Sequence, residues 1–215
     1  MRVLVAGAHG KTARRLVRML AEDGHEVRGL VRKEEQTGDI EADGAEPVVV
    51  DLEAEEVGEG IGSAVEGCEA IVFAAGPGSG AERKQTMDYG GAAKLVEAAE
   101  ERGVRRYLML SSMGADDPEG GAEAMRPYLR AKSRADERLK SSSLDYTIIR
   151  PGSLTEDEGT GTIAADEKIG RRGEIPREDV ALTFAEALEN KNTYHKTFVT
   201  PHDTPALTLV ATVVK

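Results

Sequence analysis

The stretch Val3-Leu4-Val5-Ala6-Gly7-Ala8-His9-Gly10-Lys11-Thr12-Ala13 decides how this 215-residue chain is read. It opens on four aliphatic residues with no polar interruption. A continuous rather than alternating run predicts a strand covered on both faces, as in a parallel sheet between two helical layers. Gly7 and Gly10 break the run, and Leu16, Met19 and Leu20 then recur at the three-to-four spacing of a helix over Thr12–Glu22.

The rest of the chain repeats this rhythm. Aliphatic runs at Val3–Ala6, Val27–Val31, Val48–Val50, Ala70–Ala75, Tyr107–Leu110, Tyr146–Ile149 and Thr197–Val199 alternate with helical segments such as Gly91–Arg102 and Lys132–Lys140. Alternating strands and helices predict an α/β fold, a doubly wound parallel sheet with helices on both faces. Three polar, glycine-rich stretches interrupt it: Gly76–Arg83, Gly114–Gly121 and Thr155–Gly161. In open α/β sheets such loops at the carboxyl ends of strands form ligand sites, so they read as pocket walls within one domain over residues 1–215.

The opening turn has the form of a phosphate cradle. Gly7 permits the tight bend, Gly10 lets a phosphate approach the backbone, and Ala13 is small enough for helix–strand packing. The helix then offers free N–H groups and a positive dipole end to a diphosphate, with His9, Lys11 and Thr12 in or beside the turn. Lys11, Arg14 and Arg15 either help to hold phosphates or simply face water. At the end of the second strand the chain offers Arg32-Lys33 where an NAD site usually has a carboxylate for the ribose 2′-hydroxyl. A permanently charged, planar Arg32 suits a 2′-phosphate, so NADP(H) is expected over NAD(H), with NAD(H) still possible. Asp51, with Leu52, is placed for the adenine or else caps a helix. Ala74, Ala75 and Gly76 leave room for a ribose or simply make a turn.

Tyr128-Leu129-Arg130-Ala131-Lys132 puts a phenol and an ammonium one helical turn apart, on one face. Unperturbed tyrosine titrates near ~10, and a neighbouring cation favours the phenolate. The pair therefore reads as a proton donor or acceptor with its tuning cation, Lys132 also being a candidate ligand of the nicotinamide ribose.

With these motifs in order, the chain resembles the atypical short-chain dehydrogenase/reductases, compact NAD(P)-binding proteins of Rossmann type grouped with epimerases and dehydratases. The matching residues are Gly7–Ala13, Val27–Arg32, Asp51-Leu52, Phe73–Gly76, Ser111-Ser112-Met113-Gly114-Ala115, Tyr128–Lys132 and Tyr146–Gly152. The resemblance implies catalytic roles for Tyr128 and Lys132, and places Pro151, Gly152 and Ser153 along the nicotinamide. It also implies a polarising hydroxyl at the third position of the serine turn. That position is Met113, whose thioether cannot donate, so Ser112, or Ser111, substitutes only if the loop is rotated. The expected activity is hydride transfer to or from a small carbonyl or alcohol. The alternatives are a non-catalytic NmrA-like redox sensor and an NAD(P)-dependent sugar epimerase or dehydratase. Residues 151–215 are expected to add only a small substrate lobe, with a flap at Ile163–Ile175, a helix from Pro176 to Glu189 and an apolar tail, Ala206–Lys215.

Composition narrows the partners. With 28 basic and 39 acidic side chains the net charge is −11, which opposes phosphate backbones and anionic lipid alike. A small-molecule substrate is expected, with no nucleic acid, no membrane, and a monomer or homodimer. The acidic excess is also compatible with a salty cytoplasm. Cys68, the lone cysteine, precludes an internal disulfide and points to a reducing compartment. The absence of a charged head and a long apolar stretch near Met1 makes a cytoplasmic location the expectation. His9, His25, His195 and His202 lack ligand-like spacing, so no metal is expected.

Overall fold

The computed structural model describes residues 1–54, 58–76, 86–162 and 173–200. In chain order the elements are β1 (Arg2–Ala6), α1 (Lys11–Glu22), β2 (Glu26–Val31), α2 (Thr37–Ala42), β3 (Glu46–Val49), α3 (Gly58–Val65) and β4 (Ala70–Phe73). A π-helical turn, Thr86–Gly91, leads into α4 (Ala92–Arg102), followed by β5 (Arg106–Leu110), α5 (Arg126–Lys140), β6 (Asp145–Pro151), β7 (Ser153–Thr155), β8 (Glu174–Pro176), α6 (Arg177–Leu188) and β9 (Lys196–Thr200).

Seven strands form one sheet in the order β3-β2-β1-β4-β5-β6-β9, every neighbouring pair parallel. The continuous aliphatic runs are accounted for by their two-sided burial. Successive strand residues alternate between two cores: Leu4, Ala6, Ile71, Phe73, Tyr107 and Met109 pack with residues of α3, α4 and α5. Val3, Val5, Val72, Leu108 and Ile149 pack with residues of α1, α2 and α6. This is the expected three-layer, doubly wound Rossmann-type α/β arrangement.

Strand ends depart from the apolar runs where the ladder outlasts the hydrophobic pattern. β6 extends through Arg150 and Pro151, which pair with Val199 and Thr200 of β9. β4 instead ends at Phe73, short of Ala75, with the N–H of Ala74 bonded to Ala6, the last residue of β1. α5 begins at Arg126 with Pro127 in its first turn, where a missing N–H costs nothing. α6 starts one residue later than expected, with Pro176 at its N-cap. Of the expected flap, residues 163–172 lie outside the described residues; β8 pairs with β7 in a separate two-stranded sheet. The apolar tail and the part of the Gly76–Arg83 stretch beyond Gly76 also lie outside them.

The strand order reverses between β1 and β4, the neighbours at the centre of the sheet. Ligands in such sheets bind in the crevice at this switch point, beyond the carboxyl ends of the strands.

Candidate functional site

The bend after β1 is built around a backbone contact that only glycine allows. Gly7 has φ +75°, and a Cβ there would lie 2.4 Å from the Cα of Ala75, just beyond β4. The two central strands thus meet without side chains between them, directly at the switch point. Gly7 and Ala8 both donate to the carbonyl of Leu30, and Gly10 donates back to Gly7 at 2.9 Å. Gly10 is the N-cap of α1, and it has no side chain to bond the first-turn amides. A helix start left open in this way is a ready site for a phosphate group. Cradle and open helix end together fit the pyrophosphate of a dinucleotide.

Lys11, Arg15 and Arg177 surround this helix start and share one carboxylate, Glu156. Lys11 Nζ lies 2.9 Å from Glu156, Arg177 Nε 2.8 Å and Arg15 Nη2 3.5 Å. Hydrogen bonds from Lys11 and Arg177 pull the Glu156 carboxyl down to about 2. Arg177 Nη1 also reaches the hydroxyl of Thr12, a buried residue, at 3.4 Å. Lys11 and Arg15 were legible as cations of the first helix; their partner Glu156 and the neighbouring Arg177 were not, since they come from the far end of the chain. Arg14 faces elsewhere, paired with Asp39 and Asp43. His9 donates its ring N–H to the Asp39 carboxylate at 2.8 Å, which ties the turn to α2.

On the β2 side Arg32 is exposed, and its Nη1 lies 3.6 Å from Glu53. Gln36 accepts from the backbone N–H groups of Arg32 and Lys33, which shapes this corner. Asp51 accepts from the N–H of Glu53 two residues on, which closes a local turn with one of its oxygens. Leu52 is 2 % exposed and belongs to the core. Ala74 is half-buried, Ala75 buried and Gly76 exposed, a low wall beside the cradle.

Tyr128 and Lys132 do share one face of α5, with the ammonium 5.8 Å from the ring centre. Tyr128 is half-buried and Lys132 only 3 % exposed. The ammonium is held from two directions: it donates to the carbonyl of Leu110, at the end of β5, and lies 2.9 Å from the carboxylate of Asp88 in the π-helical turn. Burial alone would drive the proton off Lys132, but the Tyr128 oxygen and Asp88 outweigh it, and the lysine holds its proton more tightly than usual.

One turn further along the same face, Asp136 is fully buried. It accepts from Ser111 Oγ at 2.9 Å and pairs with Arg150 of β6 at 2.9 Å. Burial pushes the Asp136 carboxyl up, against the pull of Arg150 and Ser111. Ser111 is therefore committed to holding Asp136. Ser112 turns its hydroxyl to the carbonyl of Met113 at 3.3 Å. Met113 itself is anchored by its N–H to Pro151. The sequence reading missed Asp88, Asp136 and Arg150. Asp136 had a signal, since Tyr128, Lys132 and Asp136 recur at i, i+4 and i+8; Asp88 had none.

On the β6 side, Pro151 is buried, Ser153 is exposed, and Gly152 is crossed closely by another chain segment. A Cβ on Gly152 would lie 2.1 Å from the carbonyl oxygen of Gly173, so glycine is required there for packing. Among the described residues no cluster of His, Cys, Asp or Glu could hold a metal ion. No helix among them is long and apolar enough to cross a membrane.

The family profile of NAD(P)H-binding proteins matches residues 7–191, most of the chain and all of the site just described. The chain belongs to this NAD(P)H-binding family. A Bacillus subtilis (strain 168) protein described as an uncharacterized sugar epimerase, YhfK, is 44% identical over 209 residues, covering 95% of this chain and 96% of its own. A solved structure from Bacillus halodurans, provisionally described as an NAD-dependent epimerase/dehydratase, superposes with a TM-score of 0.91 at 41% identity, covering 98% of each chain. The oxidoreductase ylbE from Lactococcus lactis gives 0.84 at 29% identity, over 96% of this chain and 93% of that one. Cradle, switch point and family agree that this is an NAD(P)-binding Rossmann-type protein.

Proposed function

We propose that the chain is an NADP(H)-dependent oxidoreductase acting on a small carbonyl or alcohol, with Tyr128 as its acid/base. The observation that carries this reading is the Tyr128–Lys132 pair, held by Leu110 at the carboxyl end of β5, two strands from the β1 end that forms the glycine cradle. The bound dinucleotide supplies hydride chemistry. The chain's own residues do the remainder: Gly7 and the amino end of α1 seat the diphosphate, with Lys11, Arg15 and Arg177 adding charge. Lys132 fixes the phenol's surroundings and offers its remaining proton to a ribose hydroxyl. Tyr128 exchanges a proton with the substrate oxygen. The description of a Lactococcus lactis structural relative as an oxidoreductase supports the same class.

The preference for NADP(H) rests on Arg32. A 2′-phosphate meets a guanidinium that now leans on Glu53, and charge-assisted hydrogen bonds of this kind contribute about 1.5–3 kcal/mol. Titration by the fluorescence of the reduced nucleotides tests it. NADPH is expected to bind at least about tenfold tighter than NADH, and Arg32→Ala to abolish the difference. Equal affinities in the parent chain sink the preference. Turnover of NADPH against aldehydes, quinones and flavins tests the activity; it should vanish in Tyr128→Phe.

One observation favours a second reading. Ser111 and Ser112 spend their hydroxyls on Asp136 and on the carbonyl of Met113. A non-catalytic redox sensor has no need of a polarising hydroxyl. Tight nucleotide binding with no turnover over the whole panel selects the sensor. Sugar epimerisation, the description attached to the Bacillus subtilis relative, is the third reading; product analysis with nucleotide sugars tests it.

A further inference from the structure

Two helix starts share one carboxylate. Lys11 is the first residue of α1 and Arg177 the first of α6, and the two helices pack against each other. Glu156, the residue after β7, lies between them. One of its oxygens meets Lys11 Nζ at 2.9 Å and Arg177 Nε at 2.8 Å, and the other lies 3.5 Å from Arg15 Nη2. Three cations thus surround one anion, and positive charge is left over. The same donors border the phosphate seat. Thr12, the second residue of α1, contributes one of the first-turn amides, and its hydroxyl is 3.4 Å from Arg177 Nη1. The Arg177 guanidinium therefore spans from Glu156 to the helix start.

Glu156 is held weakly enough to be displaced. Its side chain is 50 % exposed, and exposed ion pairs contribute little. Among the described residues it accepts from side chains only. A diphosphate on the helix start gains the first-turn amides and the helix dipole besides these cations. A carboxylate left beside it would face like charge. The backbone around Glu156 is fixed without its side chain. Thr155 pairs with Pro176 in the β7–β8 ladder, and Gly159, Thr160 and Gly161 donate their N–H groups to Glu178 and Asp179. Rotation of the Glu156 side chain alone is thus enough to release the cations. We propose that Glu156 is an internal counter-anion, which keeps Lys11 and Arg177 paired until the diphosphate of a dinucleotide takes them from it. Nucleotide affinity is thereby set below what cradle and cations alone would give. The inference rests on the seating of the diphosphate at the start of α1 and is independent of Tyr128 and of hydride transfer.

The test is a binding measurement and needs no substrate. NADPH is titrated by its fluorescence into the whole chain and into Glu156→Gln, which keeps the shape and removes the charge. Circular dichroism confirms the fold of each variant. Glu156→Gln should bind NADPH about three- to tenfold tighter at low salt, because the exposed ion pairs no longer have to be broken. Raising ionic strength from about 0.01 to about 0.15 M should narrow that gap, since screening weakens the competing carboxylate. Glu158, two residues on and exposed, gives a control of equal net charge: Glu158→Gln should leave the affinity within about twofold of the parent. Arg177→Gln should weaken binding, and adding Glu156→Gln to it should recover less than Glu156→Gln gains in the parent chain. A residue that merely stiffens the loop would instead lose affinity when changed. Unchanged or weaker binding in Glu156→Gln, or an equal gain in Glu158→Gln, overturns the proposal and leaves the phosphate seat standing. Failure of the seat looks different: neither NADPH nor NADH then binds the parent chain or Glu156→Gln, and the proposal falls with it.

Discussion

Two residues show how differently single positions can be read. Gly7 is legible, because a strand running into a glycine turn calls for a left-handed residue, and the structure adds the backbone of Ala75 against it. Tyr107 is not legible. It sits in an aliphatic run and reads simply as core, yet its hydroxyl is fully buried with no hydrogen-bond partner among the described residues. An unmet buried hydroxyl costs about 1–3 kcal/mol. Tyr107→Phe should therefore keep the fold and raise its stability by about 1 kcal/mol in denaturant titration. Burial also pushes the Tyr107 phenol up from its ordinary value of 10. The folded chain then holds this proton while the unfolded chain releases it, so stability is lost as pH rises above about 10. Tyr107→Phe should show a shallower loss over that range. An equal slope would mean that the hydroxyl has a partner after all.

At the scale of elements, periodicity located the helices and strands but not what closes them. The carboxyl end of α6 is capped by an arginine from another strand. Arg106, 4 % exposed, donates to the carbonyls of Ala187 and Leu188, to that of Asp145, and to the hydroxyl of Thr193, with Tyr194 against its face. Burial lowers its pKa to about 10, as expected of a cation matched with carbonyl dipoles instead of a close carboxylate. Arg106→Met keeps the bulk and strands these acceptors, so the expected loss is about 2–4 kcal/mol by thermal or denaturant unfolding. A loss below 1 kcal/mol would show that water replaces the guanidinium. Asp179 plays a similar part at the other end of α6, accepting from the backbone of Thr160 and Gly161. Glu178 and Asp179 both stand in the first turn of this helix. Their work is to hold the loop after β7, a role visible only once the loop is folded against them.

Over the whole molecule, charge is unevenly arranged. The chain carries −11, yet Lys11, Arg15 and Arg177 gather at the start of α1 around a single Glu156. That local excess of positive charge would draw an anionic dinucleotide toward the switch point against the overall field. The rest of the surface repels itself. Exposed ion pairs contribute only about 0–1 kcal/mol each, so screening should relieve more repulsion than attraction. Raising ionic strength from 0.01 to 0.15 M shortens the screening length from about 30 to about 8 Å and should raise Tm. A Tm that falls over that range would show the surface pairs to be the larger effect.

Sequence alone determined the sheet with two buried faces, the glycine cradle after its first strand, and the tyrosine and lysine on one helical face. These depend on residues a few positions apart, where backbone preference and hydrophobic period act directly. Tertiary structure decided that Asp88 neutralises Lys132, that Ser111 serves Asp136, and that Glu156 and Arg177 stand over the start of α1. A buried charge must find its counter-charge wherever packing brings one, and that choice is made by segments far apart in the chain.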